Sequence, residues 1–346
     1  MVGDIDTVEE KVIIPVRSLE PARTTEPALT TEPLTSLGGR RAMSSYLLKV
    51  LTVISVLYLV PLGIVRTEAY QHRSLSFYSR PLNYSFQTQV RDADVILFGD
   101  STVLLGVDPS QISSDLGVKV LNLPNTRGSL MVNGDLALRR YLSRNRPPKL
   151  IVFYFAPWDF NYGNTPFDAI PVFEGEEVLA AQGSFREIAS FAVKHPTDAV
   201  LFSLRFYANS WDFLQHRVSH RGQEETLAAT HGHVENTEST VLASPCKFPR
   251  LLLDNIRFDW VKALGAKYAS QQTKVLYFVA PVPSCTNVSE LLNQPYGELP
   301  AALPVVLPTE IFVRDIRYIH PHPDAVPLIT RNLSDFVRST LAVPAK

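Results

Sequence analysis

Cysteine is almost missing from this chain: Cys246 and Cys285 are the only two in 346 residues. No CxxC pair and no Cys/His cluster is present, so nothing points to a thiolate metal site. Two isolated cysteines leave two readings open. They form a disulfide if the chain is exported, or they are buried thiols if it is not. Charge of one sign is also missing. With 33 basic and 34 acidic residues the formal net charge is −1. Neither a nucleic acid nor a strongly basic partner is called for by such a balance. His231-Gly-His233 is a close histidine pair. With no third ligand in place, it reads as a solvated loop rather than a metal site.

Long hydrophobic runs are absent but for one. Tyr46–Val65 (YLLKVLTVISVLYLVPLGIV) is 20 residues with a single charge, Lys49, near its start. A bilayer core requires about 20 apolar residues in a helix. Lys49 is close enough to the end to extend its ammonium into the headgroups. The stretch is long for a signal-peptide core and no small-x-small cleavage site follows, so residues 44–66 read as an uncleaved anchor. Arg40 and Arg41 precede it, which favours the N-terminus on the cytoplasmic side. Residues 1–43 read as a disordered tail, in which Ser18–Ser36 repeats Pro, Thr and Glu. Residues 67–91 read as a linker.

From Asp92 the pattern is α/β. Asp94–Phe98, Val118–Leu123, Leu150–Phe155 and Lys274–Val279 are short apolar runs expected as buried strands. Helices are expected at Pro109–Leu116, Leu130–Ser143, Pro249–Ala269 and Pro327–Leu341. Strands alternating with helices imply a parallel sheet covered on both faces. About 161–245 reads as a helical insertion, with a polar, partly flexible stretch at His216–Thr240.

Chemistry concentrates where the first strand ends in Gly99-Asp100-Ser101 and a helix follows. Open α/β sheets bind ligands beyond the carboxyl ends of their strands. A serine there needs a base, because a free hydroxyl is a weak nucleophile. Asp315 and His320, just before the last helix, supply an acid and a base in the order Ser…Asp…His. His322 reads as a surface or supporting residue.

These blocks resemble the SGNH/GDSL hydrolase superfamily, over about Asp92–Leu341. The closest likeness is to membrane-anchored, exported members that act on polysaccharide or lipid acyl groups. Gly99-Asp100-Ser101 matches the nucleophile block, and Gly106-Val107-Asp108-Pro109 continues it. Asn122–Ser129 lines up with the second block, where Gly128 would lend its amide to an oxyanion hole. The third block, usually Gly-x-Asn-Asp, is Ala156-Pro157-Trp158-Asp159. Trp158 stands at the Asn position, and Asn161 is the nearby carboxamide. The last block, usually Asp-x-x-His, has Arg317 three residues before His320, and Asp315 two positions earlier still. A triad through Asp315, a dyad or a degraded site all remain open at this point.

The resemblance implies a three-layer α/β/α sandwich with a central parallel sheet, tethered by one N-terminal transmembrane helix. It implies no cofactor. It implies a serine esterase or O-acyltransferase acting on carbohydrate acyl (acetyl) esters, working with polysaccharide-modification partners. The expected setting is the inner membrane of a bacterial envelope, with the C-terminal domain extracytoplasmic. Ser101, His320 and Asp315 would be catalytic, and Gly128, Asn161, Trp158 and Asp100 would line the pocket. The other reading is an envelope protein that keeps the fold for carbohydrate binding or assembly.

Overall fold

The computed structural model describes residues 37–73, 79–86, 91–160, 172–215, 221–236, 240–254, 256–294, 296, 299, 301–302, 304–315 and 319–341. Residues 1–36 of the tail expected at 1–43, and 161–171 of the expected insertion, lie outside them. The chain divides into two units, Met1–Leu51 and Thr52–Lys346.

Helix α1 (Leu37–Val65) contains the apolar run, and its stretch Met43–Val65 is long and apolar enough to cross a membrane. It begins before the expected anchor. Residues 37–43 are helical instead of belonging to a tail. The expected linker also carries structure. Short helix α2 (Glu68–Arg73) is followed by α3 (Ser79–Phe86), in which every residue is buried. Leu82, Tyr84 and Phe86 join the main core, and Ser85 Oγ donates to the Pro124 carbonyl at 2.8 Å. The segment is polar on average but amphipathic, so its apolar face reaches the core only once a groove exists to receive it.

The sheet is built from β1 (Val95–Gly99), β2 (Val120–Pro124), β3 (Leu150–Phe155) and β4 (Lys274–Val279), in spatial order β2-β1-β3-β4 and all parallel. Beyond the two-residue strand β5 (Val282–Pro283), β6 (Ala301–Ala302) pairs with the outer edge of β4, and β7 (Val306–Leu307) pairs with β5. Every residue of β1, β2 and β3 is buried. Successive side chains point to opposite faces, so both faces of these strands are covered. Strand order reverses at β1, which places a crevice beyond the carboxyl ends of β1 and β3.

The helices follow local rules. After α4 (Ser101–Gly106), α5 (Pro109–Leu116) opens with Asp108 accepting from Ser110 N–H at 2.8 Å and with Pro109 in its first turn. The single helix expected at Leu130–Ser143 is two. Helix α6 (Arg127–Asn133) stops at Gly134, whose φ of 54° turns the chain into α7 (Leu136–Arg144). The rest of the insertion carries α8 (Phe173–Gln182), α9 (Phe185–Lys194), α10 (Pro196–Gln215) and α11 (Arg221–Ala229). The expected Pro249–Ala269 helix is likewise interrupted, as α12 (Arg250–Leu253) and α13 (Asp259–Tyr268). Past α14 (Val288–Leu292), α15 (Val326–Leu341) closes the chain.

His231–Val234 is not a solvated loop. Asn122 N–H donates to the His231 carbonyl at 3.0 Å, and Val234 N–H donates to the Leu104 carbonyl at 3.2 Å. The segment covers the open edge of β2, whose backbone groups would otherwise be left unpaired.

Cys246 and Cys285 are joined in a disulfide that closes a separation of 39 residues. It links the segment before α12 to the segment after β5. The Cys246 side of the link runs back to the antiparallel bridge Val241–Val313. A closed loop of this size restricts the unfolded chain by about 4 kcal/mol on the chain-entropy scale. The double substitution Cys246→Ser with Cys285→Ser should lower unfolding free energy by about 2–4 kcal/mol in a denaturant titration. Unchanged stability would mean that the link restrains nothing.

Candidate functional site

Gly99 ends β1 where the backbone of β3 passes very close. A Cβ built there would lie 1.8 Å from the Tyr154 carbonyl oxygen. Only glycine permits that approach, and the approach brings the end of β3 against the turn that carries the serine. Asp100 then caps α4. Its Oδ1 accepts from Thr102 N–H at 2.8 Å, and its Oδ2 accepts from Ala156 N–H at 2.9 Å. Ser101 is the first residue of α4 and is 6 % exposed.

Ser101 Oγ lies 2.7 Å from His320 Nε2, across 219 residues of sequence. On the far side of the ring, His320 Nδ1 bonds the carboxylate of Asp315. A carboxylate at Nδ1 selects the tautomer with its proton there, which leaves Nε2 as the acceptor for the serine hydroxyl. Of the arrangements left open by the sequence, the coordinates contain the three-residue one.

The unusual spacing of Asp315 has a structural cause. Val313 N–H donates to the His320 carbonyl at 3.0 Å, and Phe312 and Pro321 form an antiparallel bridge. Asp315 and His320 therefore face each other across the mouth of a hairpin, where a separation of five is workable. Pro321, next to the histidine, packs against α4. A Cβ at Gly106 would meet its ring at 3.2 Å.

Gly128 is the second residue of α6. The cap Thr126 Oγ1 takes the Ser129 N–H at 3.2 Å, and the Gly128 amide has no acceptor within its own helix. Helix α8 packs on this point, and a Cβ at Gly175 would lie 2.7 Å from Ser129 Cα. Trp158 is 2 % exposed and packs on Phe248 with ring centroids 5.8 Å apart. Its indole N–H is buried without an acceptor among the described residues. Asn161 lies outside the described residues. His322 stays clear of the serine, its ring near Asp324.

Asp100, expected in the pocket, instead points inward and is completely buried. Burial first, and then the neighbouring Asp159 carboxylate, push its pKa up to about 8. Asp159 also pairs with Arg127 at 3.0 Å, so Asp100, Asp159 and Arg127 form one buried group beneath the serine turn. Sequence reasoning missed Arg127. Its one signal was a charge beside Gly128 at the start of a helix. Among the described residues no group of three or more His, Cys, Asp or Glu could hold a metal.

Comparison with protein-family models, curated proteins and solved structures finds no match in any of the three. The chain is therefore defined by its own geometry. It is a mixed α/β protein with a parallel sheet, one candidate membrane-spanning helix and a Ser–His–Asp constellation at the carboxyl end of the sheet.

The buried carboxyls set a pH dependence. Asp100, Glu176 and Glu177 all have raised values, the last two pushed up to about 7, in each case chiefly by burial. Between about pH 4 and their folded values, the folded chain holds more protons than the unfolded chain. Stability from these groups is complete in acid and is lost as pH rises towards 7–8. Asp100→Asn should flatten the fall in melting temperature between pH 5 and pH 8. An unchanged slope would mean that Asp100 is already ionised throughout that range.

Proposed function

We propose that this chain is a membrane-anchored serine esterase or O-acyltransferase of the SGNH/GDSL type, with its sheet and helices arranged as a three-layer α/β/α sandwich. One observation carries the reading: the serine hydroxyl, the imidazole and the carboxylate stand in hydrogen-bonded line at the carboxyl end of a parallel sheet. An envelope protein that had merely kept the fold would have no need to hold that line.

In this mechanism Ser101 attacks an ester carbonyl while His320 Nε2 takes its proton. Asp315 holds the ring in place and stabilises the imidazolium. Amides at the starts of α4 and α6, from Ser101 and Gly128, receive the oxyanion. The tetrahedral adduct collapses, the ester C–O bond breaks, and His320 returns the proton to the departing alcohol. Water or a sugar hydroxyl then gives its proton to His320 and attacks the acyl-serine, and the proton goes back to Ser101 as the acyl group leaves. Hydrolysis and transfer differ only in which acceptor reaches the acyl-enzyme.

Carbohydrate acyl esters, acetyl among them, are proposed as substrate on the strength of the motif resemblance. Placement in the inner membrane, N-terminus in the cytoplasm and domain outside it, draws on Arg40 and Arg41 before the apolar run and Lys49 near its start. The disulfide is the form expected of an oxidising compartment.

The full chain in detergent should be labelled by a fluorophosphonate and should release chromophore from an acetyl ester. Ser101→Ala should abolish both. Asp315→Asn should lower kcat by about 10²–10⁴-fold with little change in KM, because its effect falls on the charged transition state. A folded protein that neither labels nor turns over would overturn the reading.

A further inference from the structure

Among the described residues outside α1, eleven large hydrophobic side chains are exposed, and six of them lie between residues 185 and 207. Such clustering needs a reason, since exposed apolar residues are ordinarily scattered. On α9, Phe185, Ala189 and Val193 are exposed at four-residue spacing, with Phe185 71 % and Val193 82 % exposed. Residues at that spacing share one helix face. On α10 the exposed large hydrophobic residues are Val200, Leu201, Leu204 and Tyr207, again one stripe, with Arg205 exposed at its edge and paired to Glu176. The opposite side of α10 is accounted for. Phe202 and Phe206 are buried in a small second core with Val65, Tyr70, Ala180 and Ala181.

What covers the exposed stripe follows from its neighbour. Tyr207 Oη donates to the Val56 carbonyl at 2.6 Å. Tyr58 and Leu62 line an apolar cleft together with Phe191, Ala199 and Phe202. Val56 lies nine residues before the end of the apolar run at Val65, or about 14 Å along a helix axis. The stretch Met43–Val65 is 23 residues and a bilayer core takes about 20, so only a few of its residues can stand outside the hydrocarbon. Val56 and Tyr58 are not among those few. Arg66, the first residue past the run, donates to the Ala180 and Gly183 carbonyls at 3.0 and 2.6 Å, which fixes the C-terminal end of α8 at the level where α1 ends.

We infer that α9 and α10 form a helical hairpin seated in the bilayer leaflet where α1 ends, with the stripe Phe185–Tyr207 in contact with lipid acyl chains. The occupant is lipid because α10 lies against α1 at Val56, and α1 is itself exposed and apolar there, as at Ile54, Leu59 and Ile64. This inference rests on reading α1 as the membrane span. It carries a consequence for the proposed reaction. Helix α8 touches Ser129 through Gly175 and Arg66 through Ala180, five residues apart, or about 8 Å along its axis. The oxyanion side of the site is thereby held near the membrane surface, where an ester carried on a lipid can reach it.

The native cysteines are paired, so one introduced thiol accepts one label. The full chain bearing Ile54→Cys, Val193→Cys, Leu204→Cys or Asp335→Cys would be labelled with bimane and reconstituted in phosphatidylcholine vesicles with or without acyl-chain nitroxide lipid. The expected result is at least a two-fold loss of fluorescence at 54, 193 and 204 and none at 335, an exposed position on α15. Quenching at 54 without quenching at 193 and 204 overturns the hairpin and leaves the anchor standing. Absence of quenching at 54 removes the anchor and the hairpin with it. A label at 204 that is shielded from aqueous iodide yet unquenched by lipid assigns the stripe to a protein partner or a second copy, and also overturns the proposal.

Discussion

The meeting of β1 and β3 at their carboxyl ends is the constraint from which the site descends. Two backbones approach there at a distance that a single methyl group would forbid, at Gly99. Asp100 follows, and its two oxygens tie the first turn of α4 to the backbone that leaves β3. A carboxyl at that crossing is cut off from water and sits beside Asp159. Hydrogen bonds to backbone amides recover part of the cost of its burial. The serine is aimed by this arrangement independently of the histidine.

The histidine is positioned from the opposite direction. The hairpin of Phe312–Asp315 with Ile319–Pro321 is pinned twice. On one side, Leu242 N–H donates to the Phe312 carbonyl and Arg314 N–H to the Thr240 carbonyl, beyond which the chain leads to the disulfide. On the other side, Pro321 rests on Gly106, and α15 is tied to the start of α5 by Asp108 N–H donating to Thr330 Oγ1 at 3.0 Å. An acid and a base carried on a short hairpin need such support, because local strand pairing of two or three residues is marginal alone. The cross-link and the terminal helix supply it in place of sequence spacing.

Much of the fold was legible because strands buried on both faces must be continuously apolar, and VILF and LIVFYF allow little else, while KVLYFV is buried only in its second half. Leu150–Phe155 and Lys274–Val279 fall where those runs put them. Helix ends set by backbone conformation were legible in part. Asp108-Pro109 announces α5, while Gly134 and the stretch after Leu253 broke helices that periodicity alone joined. The buried helix α3 was not legible, since its composition is that of a linker and its burial depends on a groove made by residues far away. The paired carboxyls beneath Ser101 were equally hidden, because burial is a property of the assembled chain.

The amino-acid order by itself determined the apolar segment, the strand sequence and the Gly99-Asp100-Ser101 turn, because each follows from rules that operate within a few residues. Tertiary structure alone decided that Asp315, at a spacing that looked wrong, meets His320, that the two cysteines pair, and that α10 lies beside Val56. Those outcomes hinge on which distant segments pack together, and the position of a side chain across 219 residues of chain is fixed by the sheet between them and not by anything local.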